Sequence, residues 1–77
     1  MNPNRKIIPL SDIIISEEFQ QHYPATSKIT KCYDRLLKNG KFDREITLDE
    51  NNVLTDGYVP YLICRMVGVE TVEAVTT

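Results

Sequence analysis

The residues of this chain best suited to chemistry lie at and just after Asp56-Gly57. The first turn of a helix attracts anions through its N–H groups and partial positive charge, and a glycine lets a phosphate approach the backbone. Gly57 suits that role if a helix begins at Tyr58. Asp56 is expected to cap this helix, with a metal or a ribose hydroxyl as the functional alternative. The candidate ligand-binding residues are Asp56, Gly57, Tyr58 and Arg65.

Tyr58, Tyr61 and Arg65 follow one another at i, i+3 and i+7, which places them on one helix face. That face lies outside the expected core arc of the helix, which comprises Val59, Leu62, Ile63 and Met66. The two tyrosines and the arginine are therefore either packing residues or a contact surface for a protein partner.

A row of basic residues forms a second candidate site. Its members are Lys28, Lys31, Arg35 and Lys38, spaced by three and four residues. On a helix this spacing produces a continuous basic stripe on the side opposite the apolar residues. The stripe is either a solvated outer face or a surface that contacts phosphates. Asp34 and the net charge of -2 favour the solvated face.

Other reactive residue types do not assemble into a catalytic or metal site. Cys32 and Cys64 stand far apart and outside any Cys-x-x-Cys motif, and His22 is the one histidine, so no zinc site is expected. Both cysteines are expected to be small buried hydrophobes. No nucleophile–base pair or carboxylate cluster can be assembled. The sequence therefore predicts a protein that is not an enzyme and uses no cofactor or metal.

The length and composition of the chain also argue against an enzyme. Its 77 residues, 42% hydrophobic and 26% charged, predict one domain over 1–77 with too little core for a deep, enclosed site. The net negative charge argues against nucleic-acid binding through bulk positive charge. The N-terminal apolar stretch is interrupted by Pro9, Ser11 and Asp12, too often for an export signal or a membrane span. A cytoplasmic location is therefore expected.

Two helices are predicted to position the candidate residues. The clearer one runs from about Thr26 to Asn39, capped by Thr26 or Ser27 and ended by Gly40. Its apolar residues recur with helical spacing and are Ile29, Cys32, Tyr33, Leu36 and Leu37. The second helix runs from about Tyr58 to Val67 and ends at Gly68. Pro60 is tolerable in its first turn, where no intrahelical hydrogen bond is lost.

Short β-branched runs predict the remaining elements. They are a strand at 7–8, a short strand or extended segment at 13–15, a hairpin of 45–48 with 53–55, and a last strand at 71–75. A single helical turn capped by Ser16 precedes Pro24. The second hairpin strand, the second helix and the last strand are expected to form a βαβ unit with a right-handed crossover. The fold class is therefore α+β, a small mixed sheet with two main helices.

The order of these segments resembles the N-terminal domain shared by ParB-like proteins and sulfiredoxin. The resemblance is carried by segments that together span almost the whole chain, namely residues 6–13, 24, 28–29, 46–49, 53–58 and 67–72. It implies a minimal, stand-alone ParB-like domain. It also implies a phosphate site at the start of the second helix, where members of this superfamily bind nucleotides. ParB proteins continue beyond this domain into a helix-turn-helix region, so partition-complex assembly is not expected of this domain by itself.

The chain departs from the family pattern where phosphate would bind. The family places arginine soon after the glycine, as in Gly-Glu-Arg-Arg of ParB proteins and Gly-Cys-His-Arg of sulfiredoxins. Here Gly57 is followed by Tyr58-Val59-Pro60-Tyr61. Tyr58 at the cysteine position leaves no nucleophile for sulfiredoxin-type repair. Pro60 at the arginine position removes both a bidentate phosphate contact and a backbone donor. To contact the phosphate, Arg65 would have to extend back toward the start of the helix.

Two functions remain open from the sequence. The first is a non-catalytic ParB-like binding module, associated with a nucleotide or a nucleic acid through the Asp56-Gly57 helix start. The second is a small protein-interaction or inhibitor protein, of phage or mobile-element type, that presents Tyr58, Tyr61 and Arg65 to a protein partner. The second function is suggested by the replacement of phosphate-binding residues of the family pattern by aromatic residues.

Overall fold

The structure is a computed structural model that describes residues 4–42 and 44–76. Its strands are β1 (Asn4–Pro9), β2 (Thr47–Leu48), β3 (Leu54–Asp56) and β4 (Thr71–Thr76). Its α-helices are α1 (Glu17–Gln21), α2 (Thr26–Asn39) and α3 (Tyr58–Val67), and a 3-10 turn spans Leu10–Asp12. The two predicted main helices are confirmed with their bounds, and the fold is α+β. Within these residues no helix is long and apolar enough to cross a membrane.

The four strands form one mixed sheet in the order β1-β4-β2-β3. β1 pairs antiparallel with β4 over six residue pairs, from Asn4 opposite Thr76 to Pro9 opposite Thr71. β2 is parallel to β4 and antiparallel to β3, which confirms the predicted hairpin. The hairpin turn is held by the Asp49 carboxylate, which accepts hydrogen bonds from the N–H groups of Asn51 and Val53.

The predicted βαβ unit is wrong. β2 lies between β3 and β4, and β3 and β4 run in opposite directions. β4 makes its long ladder with β1, the first strand of the chain, and its direction follows from that antiparallel pairing. A βαβ unit requires the two strands joined by the helix to be parallel, so the right-handed crossover rule does not apply to this connection.

The core lies between the sheet and α3. It comprises Ile8, Ile13, Ile46, Leu48, Leu54, Tyr61, Leu62 and Ala74. α3 buries five consecutive residues, Pro60 to Cys64, because it packs on the sheet residues of this core and also against α2. The predicted core arc is therefore wrong in part: Met66 is 70% exposed and Tyr61 only 7%.

α2 lies at the edge of the molecule rather than in its core. None of its residues is buried, and among the described elements α3 is the one against which it packs most closely. Gly40 ends the helix in the left-handed conformation, as predicted, and its N–H donates to the Leu36 carbonyl. The predicted cap is wrong, because the helix begins after Ala25 with no side-chain cap. Ser16 does cap α1, accepting from the Phe19 N–H.

Candidate functional site

At the start of α3, the role of Asp56 differs from the one predicted. Gly57 is the N-cap residue, in the left-handed conformation with φ 82° and ψ 31°. Asp56 Oδ1 accepts a hydrogen bond of 2.8 Å from the Gly57 N–H and one of 3.2 Å from Arg44 Nη1. The prediction that Asp56 caps the helix is wrong, because the glycine turn between β3 and α3 places Asp56 one residue too early.

This geometry disfavours a phosphate at the helix start. The Gly57 N–H already donates to the Asp56 carboxylate, and Pro60 has no N–H. The first turn can therefore offer an anion only the N–H groups of Tyr58 and Val59. The Asp56 carboxylate beside them repels a second anion. A binding role for Asp56 and Gly57 stays a prediction.

Gly57 has a structural reason to be glycine that involves no ligand. Its positive φ is costly for other residues. A Cβ built on Gly57 would lie 2.5 Å from the Glu45 carbonyl oxygen and 2.7 Å from Ile46 Cα. The backbone before β2 thus passes directly against the glycine, and the fold alone accounts for this residue.

Four basic side chains line one cleft beside the first turn of α3. Lys28, Lys31 and Arg35 of α2 and Arg44 of the segment before β2 surround a cavity of about 390 Å³. Its apolar lining comes from Cys32, Val59 and Pro60. We call this cleft, defined by those four basic residues, the basic groove.

The basic groove corrects the expected position of the stripe on α2. Three stripe residues lie beside the contact of α2 with α3, not on the far side of the helix. The reason is their position around the helix, since Lys28, Lys31 and Arg35 neighbour Cys32, which lines the same cleft. Lys38 is exposed and does not line the groove.

Arg44 joins the basic groove to a second cleft of about 870 Å³. That cleft is lined by Asn39, Lys41, Phe42, Arg44, Glu45, Thr47 and Asp56. Arg44 thus stands at the boundary of two neighbouring clefts and pairs with Asp56 beside Gly57. The sequence reasoning missed this residue. The available signal was that Lys41 and Arg44 extend the run of basic residues beyond the end of α2.

Tyr58 lies at the centre of a cluster of aromatic rings. Its ring centroid is 5.2 Å from that of Phe19 and 6.3 Å from those of Tyr23 and Tyr61. Tyr23 meets Tyr58 edge-on and is 59% exposed, whereas the Tyr61 ring is nearly parallel to that of Tyr58. Burial raises the pKa of the Tyr58 hydroxyl, and so do Tyr23 and Tyr61. We call Phe19, Tyr23, Tyr58 and Tyr61 the aromatic cluster.

Of the predicted partner-binding residues, Arg65 is exposed, Tyr58 is half-buried and Tyr61 is buried. Tyr61 lies in the core, so its predicted position outside the core is wrong. Arg65 is exposed and lines a cleft of about 730 Å³ with Tyr61, Leu10 and Glu70. It lies eight residues beyond Gly57, about 12 Å along the axis of α3. The structure therefore does not bring Arg65 to the helix start, although a weak electrostatic effect of Arg65 lowers the Tyr58 pKa.

Neither the Cys64 thiol nor the acidic side chains that the structure describes form a reactive centre. Cys64 is buried, and burial raises the pKa of its thiol, which keeps it protonated at neutral pH. Among residues 4–42 and 44–76, no three His, Cys, Asp or Glu side chains are grouped so that they could hold a metal ion.

Comparison with known proteins identifies the fold. No protein-family model matches the chain, and no curated protein matches it. Two solved structures are similar over 97% of this chain, both at 19% identity. One is the C2221 form of a pNOB8-like ParB-N domain, with a TM-score of 0.75, and the other is a pNOB8-like ParB N-domain structure, with a TM-score of 0.74. The chain spans 29% and 27% of those two chains, respectively. The fold is therefore that of a ParB N-domain, as the sequence resemblance implied.

Proposed function

We propose that this chain is a non-catalytic ParB-like binding module that holds a phosphate-bearing ligand, a nucleotide or a nucleic acid, in the basic groove. The ParB N-domain fold supports a module of this type. The ligand class rests on one observation, the convergence of four basic side chains on one cleft. The proposed site thus lies beside the predicted Asp56-Gly57 helix start and shares Arg44 with it.

The groove suits an anion better than the helix start does. Its charged walls are Lys28, Lys31, Arg35 and Arg44, and none of the acidic residues within 4–42 and 44–76 lines it. The apolar atoms of Val59 and Pro60 reduce hydration of an anion in the cleft, which strengthens its attraction to the four cations. Arginine also offers two parallel N–H groups to a phosphate.

The Arg44–Asp56 ion pair does not prevent this binding. Its N–O distance is 3.2 Å, and the two side chains are 73% and 51% exposed. Exposed pairs of this kind are worth about 0–1 kcal/mol. A phosphate can therefore recruit Arg44 at little cost while Asp56 keeps its hydrogen bond to the Gly57 N–H.

The same proposal includes two further points, that the protein is not an enzyme and that it is located in the cytoplasm. The buried, protonated Cys64 thiol is a poor nucleophile. Neither Cys32 nor Cys64 is in a disulfide, in keeping with a reducing compartment.

Titration calorimetry with CTP, ATP and GTP at low salt tests this function. We expect heat of binding for at least one nucleotide, and an affinity about fivefold weaker for Lys31→Gln, the loss of about 1 kcal/mol typical of an exposed charge contact. Lys6→Gln is the matched control: it removes one positive charge from β1, away from the groove. Absence of binding to nucleotides and to oligonucleotides alike would contradict the proposal, and so would equal weakening by both variants.

A second function, a protein-interaction or inhibitor module of phage or mobile-element type, is favoured by the aromatic cluster. Tyr23 is 59% exposed while its ring packs against Tyr58, so a partner could bury an aromatic side chain that is already held in place. In this alternative Tyr58 and Arg65 contact the partner. Tyr61 supports the Tyr58 ring from the core.

A quantitative pull-down tests the second function. We expect Tyr23→Ser and Arg65→Gln each to reduce capture of a specific partner at least fivefold, as residues central to an interface do. Tyr33→Ser is the control, since Tyr33 is an exposed tyrosine of α2 that does not belong to the aromatic cluster. Unchanged capture by both test variants would remove this surface from consideration.

A further inference from the structure

We infer that the ligand of the basic groove is a single strand of nucleic acid, bound without sequence selection, rather than a free nucleotide. This inference rests on the proposed function and concerns the same site. Its first ground is the charge distribution: six of the nine basic residues, but only two of the eleven acidic ones, lie between Lys28 and Arg44. That segment carries a net charge of +4 and the rest of the chain -6, so a polyanion is drawn to this segment and repelled elsewhere.

The length of the basic surface is the second ground. From Lys28 to Lys38 the stripe extends ten residues along α2, about 15 Å, in steps of about 4.5 and 6 Å. Lys38 lies beyond the groove, and Lys41 lines the second cleft together with Arg44. The phosphates of one nucleotide would occupy only part of this row. A strand with regularly spaced phosphates matches its whole length.

The shape of the surface favours a single strand over a duplex. The basic groove and the second cleft, about 390 and 870 Å³, are each the size of a small-ligand pocket and meet at Arg44. Each can take a nucleotide unit of a strand but not a double helix. Phe42, a half-buried aromatic residue, lines the second cleft and supplies a surface on which a base can stack. Basic grooves interleaved with aromatic surfaces are the usual design of single-strand binding sites.

Fluorescence anisotropy with a labelled 12-nucleotide oligo-dT tests the inference on the full chain. With four phosphate contacts, the logarithm of the affinity should fall with the logarithm of the salt concentration with a slope of about -3. From 50 to 200 mM salt this is a loss of about 50-fold. We expect the affinity to rise at least tenfold from dTTP to the oligonucleotide, and a 12-base-pair duplex to bind at least tenfold more weakly than the single strand.

Paired double variants identify the site. Lys28→Gln/Lys31→Gln should reduce the salt slope to about -1.5, because two phosphate contacts are lost. Arg5→Gln/Lys6→Gln removes the same charge from β1, outside the groove, and should leave the slope near -3. Far-UV circular dichroism of each variant checks that α2 is retained.

Three outcomes would overturn the inference. If dTTP binds as tightly as the oligonucleotide, a mononucleotide is the ligand, and the proposed function stands without this extension. If the duplex binds as tightly as the single strand, the groove is not a single-strand site. If neither nucleotides nor oligonucleotides bind, the proposed function fails as well.

Discussion

Replacing Gly57 with alanine is expected to lower the free energy of unfolding by about 2–5 kcal/mol. The left-handed backbone of residue 57 costs a side-chain-bearing residue about 1–2 kcal/mol. The added methyl group would also overlap the backbone at Glu45 and Ile46, and making room for it should cost a further 1–3 kcal/mol or so. Backbone atoms of a strand entry cannot rotate away as a flexible side chain can.

The expected loss is large relative to the total stability of a chain of this length. At about 0.05–0.15 kcal/mol per residue, 77 residues give roughly 4–12 kcal/mol. Urea unfolding followed by far-UV circular dichroism measures the change, provided that the slope of the transition stays constant. If the total stability lies at the low end of that range, a substantial fraction of the variant will be unfolded without denaturant.

Gly68→Ala is the matched control for this variant. Gly68 also has a positive φ, 81°, but a Cβ placed there meets no atom within 4 Å. It should therefore cost only the backbone component, about 1–2 kcal/mol. If Gly57→Ala were no more destabilising than Gly68→Ala, the close approach of Glu45 and Ile46 to Gly57 would be wrong.

This result bears on how the function can be tested. Loss of ligand binding in a Gly57→Ala variant would not separate loss of the fold from a missing phosphate contact. Substitutions at Lys28 and Lys31 are better tests because both side chains are exposed on a helix that tolerates glutamine. The experiments on the basic groove are therefore built on these lysines.

The helices could be predicted from the sequence because their signals are local. The apolar spacing between Ile29 and Leu37 has the period of a helix, and Gly40 and Gly68 each end a helix in the left-handed conformation. Hydrogen bonds within a helix join residues four apart, so a short stretch of sequence contains the whole pattern. The same holds for the hairpin turn held by Asp49.

Strand pairing and the candidate sites could not be predicted in the same way. β4 pairs with the first strand of the chain, more than 60 residues away, and no local pattern indicates that choice. The basic groove depends on Arg44 meeting Lys28, Lys31 and Arg35 across the packing of α2 on α3. The stripe itself was visible in the sequence, but the cleft that it lines was not.

The burial of individual residues also depends on neighbours that the sequence does not reveal. Tyr61 was placed outside the core by helical periodicity, yet α3 is covered both by α2 and by residues of the sheet. Periodicity assumes that one face of a helix is buried, and it fails where two elements cover adjacent faces. In the last turn of α3 neither element provides this cover, since Arg65, Met66 and Val67 are all exposed.

Leu48→Ala and Leu37→Ala together measure how unevenly the apolar residues contribute to the free energy of unfolding. Leu48 is fully buried in β2 at the centre of the core, whereas Leu37 is 67% exposed although it belongs to the periodic apolar row of α2. Truncating a buried leucine leaves a cavity and costs about 2–5 kcal/mol, so we expect about 3 kcal/mol for Leu48→Ala. Leu37→Ala should change the free energy of unfolding by no more than about 0.5 kcal/mol.

Urea unfolding of the two variants at one pH and salt concentration gives the comparison directly. Equal destabilisation would mean that the apolar row of α2 is buried in solution and that the packing of α2 differs from the structure. The expected difference of about 2.5 kcal/mol would instead show that α2 adds little to the core. The side of α2 that borders α3 would then serve mainly to hold Lys28, Lys31 and Arg35 at the wall of the basic groove, which is the role that the proposed function requires of it.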